Sequence, residues 1–256
     1  MNKNVASNRR LVCALACRNH GSRLYGKPLQ NLDVERGVSI LDNIIQCLKS
    51  IDCIDEIVLG ISEGSENEIF RSQAEKYDLK AIVGDQKDVL SRLIECGRVA
   101  DATDIFRVTS ESPFMYFEAV ETLWAQHVAG RADATFLDNI IDGCNFEILS
   151  LAALETSHRK GDDKHRSELC TLYIREHPDD FDIQRNDPPQ QLIRRDLRLT
   201  VDTPEDLVVC RAVYDQFRSQ APRIPVASIV EFLDRNPSLI ELTAPFAEQG
   251  YKTMYL

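Results

Sequence analysis

Arg18, Arg23 and Lys27 fall within ten residues of one another, in the stretch LACRNHGSRLYGKPLQ at positions 15–30. The chain around them is acidic, with 30 Lys and Arg against 41 Asp and Glu and a formal net charge of −11. A cation island on such a chain selects a local anion. Arg holds phosphate through parallel N–H donors, and Lys acts as a point charge. Gly21 and Gly26 let the backbone approach a ligand and turn its N–H groups toward an anion, with Ser22 between them. The stretch follows the apolar run Leu11–Cys17, and Pro28 stiffens its exit. A polyphosphate suits this arrangement, and a solvated basic loop is the alternative. The spacing from Gly21 to Gly26-Lys27 imitates a Walker A loop, but Pro28 stands where Ser or Thr would hold magnesium.

A polyphosphate site recruits Mg²⁺ through one or two carboxylates together with the phosphates. Glu111 in VTSESPF and Asp202 in LTVDTPED are the candidates, each at an expected strand end. Each is also a possible helix cap, Asp202 above all because Thr203-Pro204 follows it. His20 lies in the basic loop, and His165 is the histidine best placed for an acceptor. The eight cysteines contain no C-x-x-C pair and scatter along apolar runs. They read as buried free thiols rather than a zinc site or a disulfide framework.

These residues need a scaffold. The apolar periods predict strands at Leu11–Cys17, Glu56–Ser62, Lys80–Val83 and Asp104–Thr109. Between and after them come helices from Ile40 (capped by Ser39), over Glu66–Tyr77, over Lys87–Ala100 and over Tyr116–Ala129. That alternation predicts an α/β chain with a doubly wound, mostly parallel sheet. In such sheets ligands bind beyond the carboxyl ends of the strands, where the basic loop falls. The second half is less regular. Strands are expected at Ala132–Leu137, Asn145–Leu149, Phe181–Arg185 and Arg198–Asp202. Helices are expected at Leu151–His158, His165–Arg175, Thr203–Arg218 and Val226–Arg235, before a tail. Residues 1–10 read as a disordered tail, residues 11–256 as one domain, and residues 132–190 as a small β-rich lobe, to which the family resemblance given below assigns dimerisation and acceptor binding. The acidic balance argues against nucleic-acid or membrane-surface partners. No apolar run is long enough to span a membrane, and Met1–Arg10 lacks a signal peptide's apolar core. The chain is expected to be cytoplasmic.

Several segments together resemble one family. ACRNHGSRLYGKPL is similar to the A-R-x-x-S-x-R-L-x-G-K-x-L loop of the cytidylyltransferases of cell-surface polysaccharide synthesis. The SpsF-like group is the nearest, and the CMP-Kdo and acylneuraminate synthetases are wider relatives. VGDQKDVLSRL, VTSESP, DGCNFEILSLAAL, SELCTLYI, LRLTVDTPEDL and VASIVEFLDRNPSL resemble further family segments over nearly the whole chain. The resemblance implies a nucleotide-diphospho-sugar transferase-like, Rossmann-like fold. It implies that Arg18, Gly21, Ser22, Arg23 and Lys27 bind CTP, with Gly84, Asp88 and Arg92 near the nucleotide. Glu111 and Asp202 would hold Mg²⁺, and Asn145, Glu147 and Glu168 would line the acceptor pocket with His165. The implied reaction is transfer of CMP from CTP to a sugar acid or related anionic acceptor, with release of pyrophosphate, by a homodimer. Four positions depart from the pattern. Ser110-Glu111 replaces Gly-Asp, Asn145 replaces Asp, and Leu169 replaces a frequent His. They point to a different acceptor or a weakened site, so a nucleotide-binding homologue without turnover is one alternative. A nucleotide-sugar-dependent glycosyltransferase is the other, though TSES is not its D-x-D.

Overall fold

A computed structural model describes residues 9–19 and 23–253, with side chains through residue 247. His20, Gly21 and Ser22 lie outside the described residues, and so does most of the expected tail. Arg9 and Arg10 of that tail are described and tied down. Arg9 Nε donates to Asp104 Oδ2 at 2.8 Å, and Arg10 Nη2 pairs with Glu56 Oε2 at 2.7 Å. Arg9 and Arg10 are therefore held against the sheet, and residues 1–8 lie outside the described residues. These two cations meet carboxylates at the amino-terminal ends of neighbouring strands.

The strands are β1 (Leu11–Cys17), β2 (Asn31–Asp33), β3 (Val38–Ser39), β4 (Glu56–Ser62), β5 (Lys80–Gly84), β6 (Asp104–Arg107), β7 (Ala134–Leu137), β8 (Glu147–Ser150) and β9 (Ile183–Asn186). Seven form one sheet in the order β5-β4-β1-β6-β8-β7-β9. β8 runs antiparallel to both neighbours, and the other pairs are parallel. The strands expected within 132–190 thus continue the main sheet. The hairpin β2–β3 forms a separate antiparallel pair.

The helices are α1 (Ile40–Lys49), α2 (Ile69–Tyr77), α3 (Val89–Val99), α4 (Val120–Gly130), α5 (Leu151–Lys160), α6 (Asp163–Arg166), α7 (Leu172–Glu176), α8 (Pro204–Gln216), α9 (Val226–Asp234) and α10 (Pro237–Thr253). Ser39 starts α1 with a reciprocal capping box to Asp42, and Thr203 does the same for α8 with Asp206. Each such cap contributes about 1 kcal/mol.

Alternation along β1 shows why both sheet faces are covered. Leu11, Cys13, Leu15 and Cys17 enter a core shared with α1, α2, α4, α8 and α9. Val12 and Ala14 enter the opposite core, shared with α3, α5 and α7. A strand buried on both faces reads as a continuous apolar run, which β1 is.

Three expectations need correction. The helix expected over His165–Arg175 is two short pieces, α6 and α7, separated by Ser167–Thr171. The strand expected at Arg198–Asp202 is not formed: the segment makes a single isolated bridge, Asp142 to Arg198, and bends at Thr200 and Asp202. The expected C-terminal tail contains α10, which packs on α8 and α9. Pro245 lies inside α10, where it cannot donate a backbone hydrogen bond to the carbonyl four residues earlier, and such a residue argues against a helix at the sequence level.

Candidate functional site

The chain builds outward from β1 to β4 and β5, then returns to β6 on the other side. β1 and β6 therefore mark the switch in strand order, where a crevice opens beyond their carboxyl ends. A cavity of about 410 Å³ lies there, lined among others by Arg18, Arg23, Lys27, Glu111, Asn145 and Asp202.

The basic loop is pinned at its base. Gly26 N–H donates to Asn19 O at 3.0 Å, and Gly26 adopts φ +61°, a left-handed conformation that side chains disfavour. Asn19 is buried, and its backbone N–H donates to Asn67 Oδ1 at 2.7 Å. This brings the two ends of the loop together, so Arg18 and Lys27 reach one cavity. The single turn Lys27–Leu29 then aims Lys27 inward.

The carboxylates are placed by a second crossing. Ser112 Oγ donates to Thr200 Oγ1 at 3.1 Å, and Val201 N–H donates to Glu111 O at 3.0 Å. These bonds lock the turn after β6 against the segment before α8, so Glu111 and Asp202 share a wall. Lys27 Nζ pairs with Asp202 Oδ1 at 2.6 Å, and Arg23 Nη2 lies 3.5 Å from Asp202 Oδ2. Arg18 pairs with Glu168. Burial alone would raise the Asp202 carboxyl, but Lys27, Arg198 and Arg23 hold it below the ordinary carboxylate range. Glu111 moves the other way. Burial pushes its carboxyl up, opposed by Lys27 and reinforced by Asp202.

Among the described residues no group of three or more His, Cys, Asp or Glu is arranged to hold a metal. The pair Glu111 and Asp202 fits a hard cation that takes its remaining oxygens from phosphate. Of the two carboxylates, Asp202 is the one that its neighbouring cations hold ionised.

The wall that holds Arg107 and Asn145 is built differently. Arg107 on β6 faces Glu147 on β8 in the antiparallel register. Their side chains pair at 2.5 Å. Glu147 is 1% exposed and also takes Arg175 Nη2 and Thr171 Oγ1, each at 3.0 Å. Burial would raise the Glu147 carboxyl, but Arg107 and Arg175 hold it low. Glu147 is thus behind the cavity, while Arg107, Asn145, Glu168 and Leu169 line it. Arg107 and Asp142, which also lines the cavity, escaped sequence reasoning. Arg107 sits in FRVTSE beside Glu111, and only the strand pairing shows that it points to the site.

The other expected site residues lie near the cavity or apart from it. Arg92 lines it but is 1% exposed, and its Nη1 donates to Gly60 O at 2.9 Å. Burial lowers its pKa. Gly84 lies beneath Arg92, where a Cβ would meet Arg92 Cγ at 2.8 Å. Asp88 caps α3 through Ser91 N–H at 2.7 Å and pairs with His158 Nε2 at 2.7 Å. His165 is held by Asp162 at 2.7 Å and Glu176 at 2.8 Å, away from the cavity-lining residues. Gly21 and Ser22 lie outside the described residues. All eight cysteines are free. Burial pushes Cys96 up to about 12 and Cys53 up to about 11, so both stay protonated and inert at neutral pH.

No family model matches the chain. It is 26% identical over 229 residues to the spore coat polysaccharide biosynthesis protein SpsF of Bacillus subtilis, covering 89% of this chain and 95% of that one. A cytidylyltransferase from Leptospira borgpetersenii serovar Hardjo-bovis superposes with a TM-score of 0.82 at 19% identity, covering 91% of this chain and 97% of the other. The CMP:2-keto-3-deoxy-manno-octonic acid synthetase, solved in complex with CTP, superposes with a TM-score of 0.60 at 14% identity, over 81% and 99% of the two chains. The chain is a homologue of SpsF built on the fold of the cytidylyltransferases.

Proposed function

We propose that this protein is a cytidylyltransferase that transfers CMP from CTP to a small anionic, sugar-like acceptor and releases pyrophosphate, in cell-surface glycan biosynthesis. One observation carries the reading. Lys27 and Asp202 are 175 positions apart, yet they meet at 2.6 Å on the wall of the switch-point cavity. A phosphate-binding cation and a metal-binding carboxylate are thereby stored on each other. The relatives support the choice of nucleotide and pathway, through SpsF in spore coat polysaccharide biosynthesis and a synthetase solved with CTP.

In this reading Lys27, Arg23 and Arg18 leave their carboxylates for the triphosphate. They then offset the charge that grows on the departing pyrophosphate. Glu111 and Asp202 would hold Mg²⁺, which would supply Lewis-acid stabilisation of phosphate charge. Arg107 and Asn145 would orient an acceptor whose oxygen attacks the α-phosphorus, and proximity supplies much of the acceleration. The reading includes a homodimer paired through residues 132–190, checked by sedimentation, and a cytoplasmic location. No described helix is long and apolar enough to cross a membrane.

The experiment is a pyrophosphate-release screen over the four nucleoside triphosphates with a panel of sugar acids and phosphorylated polyols. Release with CTP and one acceptor class is the expected result. CTP binding without release from any acceptor would instead identify a binding protein that has lost turnover.

A further inference from the structure

Arg198 belongs to none of the roles described so far, although it is among the largest fully buried side chains. Its guanidinium spends a different nitrogen on each of three carboxylates. Nε donates to Asp206 Oδ1 at 2.9 Å, Nη1 to Asp142 Oδ2 at 2.6 Å, and Nη2 to Asp202 Oδ2. The first two partners are themselves fixed. Asp206 Oδ2 accepts the backbone N–H groups of Asp202 and Thr203, each at 2.9 Å, at the first turn of α8. The backbone of Asp142 accepts Leu199 N–H at 2.8 Å. Gly143 keeps the two segments in contact, since a Cβ there would meet Thr200 N at 2.3 Å. Arg198 is thus clamped on two sides and presents its third donor to Asp202.

The division of labour at Asp202 follows. Oδ1 takes Lys27, which is 18% exposed at its side chain, while Oδ2 takes the buried Arg198. Arg23, at 45% exposure, adds a longer contact to Oδ2. Three cations balance three carboxylates in this cluster. When Lys27 and Arg23 turn to a phosphate, Arg198 is the described cation left on Asp202. Without it the carboxylate would be free to rotate and would face Asp142 and Asp206 uncompensated.

We propose that Arg198 is a positioning residue of the nucleotide site: it clamps Asp202 Oδ2 so that the departure of Lys27 uncovers Oδ1 in a fixed direction, toward the bound phosphates. This rests on the cytidylyltransferase reading. The guanidinium is suited to the task because its planar fork fixes several oxygens at once, which a lysine ammonium does not.

The test is calorimetric binding of CTP, once with Mg²⁺ and once with a chelator, alongside thermal melting. The chelator value reports the loop cations, and the gain with Mg²⁺ reports the oriented carboxylate. Arg198→Lys is expected to leave the chelator value within about threefold and to reduce the Mg²⁺-dependent gain about tenfold, a change of ~1.4 kcal/mol. Lys27→Gln is expected to weaken both values. If Arg198→Lys does not fold, Asp206→Asn carries the same test, because it loosens the clamp while leaving Arg198 on Asp142 and Asp202. An unchanged Mg²⁺-dependent gain, or a parallel weakening of both values with a lower melting temperature, overturns the assignment and leaves the nucleotide reading standing. No CTP binding by the wild-type protein overturns both.

Discussion

The two walls of the cavity use the same residue types to opposite ends. On the wall of the basic loop Arg18 and Arg23 are reachable, with side-chain exposures of 41% and 45%, and Lys27 is partly buried at 18%. On the wall of Arg107, Glu147 is 2% exposed at its side chain, against 15% for Arg107 and 10% for Arg175. An exposed pair exchanges partners at little cost, because water compensates each charge as it leaves. A buried pair does not, because breaking it strands a charge in low dielectric. The wall of the basic loop can therefore exchange the partners of Arg18 and Arg23 at little cost, whereas the wall of Arg107 holds its buried Glu147 in place.

The largest effect separates function from stability. Lys27→Ala is expected to lower CTP-dependent pyrophosphate release by about 10³-fold, or ~4 kcal/mol of transition-state stabilisation. Its melting temperature should stay within roughly 2 °C of wild type. Full activity in that variant would break the comparison at its root. On the other wall, Glu147→Gln leaves Arg107 and Arg175 without their shared anion. It should cost about 3 kcal/mol of stability. That lowers the melting temperature by roughly 6–12 °C. A melt equal to wild type would show that the wall of Arg107 is as exchangeable as the other.

Titration sharpens the contrast, because the two walls give opposite signs. Glu147 is held below its ordinary range, so its contribution is present above the unfolded carboxylate pKa and fades as pH falls through the folded one. The stability difference between wild type and Glu147→Gln should therefore shrink in acid. Burial raises Asp142, on the phosphate side, to about 6 despite Arg198. Its folded form holds a proton that the unfolded form has released, so stability falls as pH rises from the unfolded value through about 6. Denaturant melts across that window should show a slope of up to about 1.4 kcal/mol per pH unit that Asp142→Asn removes. A slope unchanged in that variant would assign the titration elsewhere. The smallest effect is at the exposed rim. Glu168→Gln should change stability by less than about 0.5 kcal/mol, since both partners of the Arg18 pair are wet. A larger loss in a denaturant melt would mean that the rim is structural.

The legible parts of the fold were those where one face or one cap decides the outcome. β1 and β4 coincide with their expected limits, because a strand covered on both faces has to be apolar throughout. Ser39 with Asp42 marks its own helix start. The region from His165 to Arg175 misled because its apolar positions suit a helix, whereas Arg107, Arg175 and Glu147 draw the chain into two short turns. Arg198–Asp202 reads as a strand by alternation, yet its inward residues serve an ion cluster and not a ladder.

The sequence by itself determined that a basic loop follows the first strand and that carboxylates end two later segments. Those are local properties, set by composition and by the period of apolar residues. Only the tertiary structure decided which charges meet. Lys27 and Arg198 converge on Asp202, Arg18 on Glu168, and Glu147 withdraws behind Arg107 while His165 turns away. Coulomb energy depends on distance and burial, neither of which is written along the chain. The same aspartate or glutamate becomes a ligand, a clamp or a buried brace according to which cations the fold brings to it.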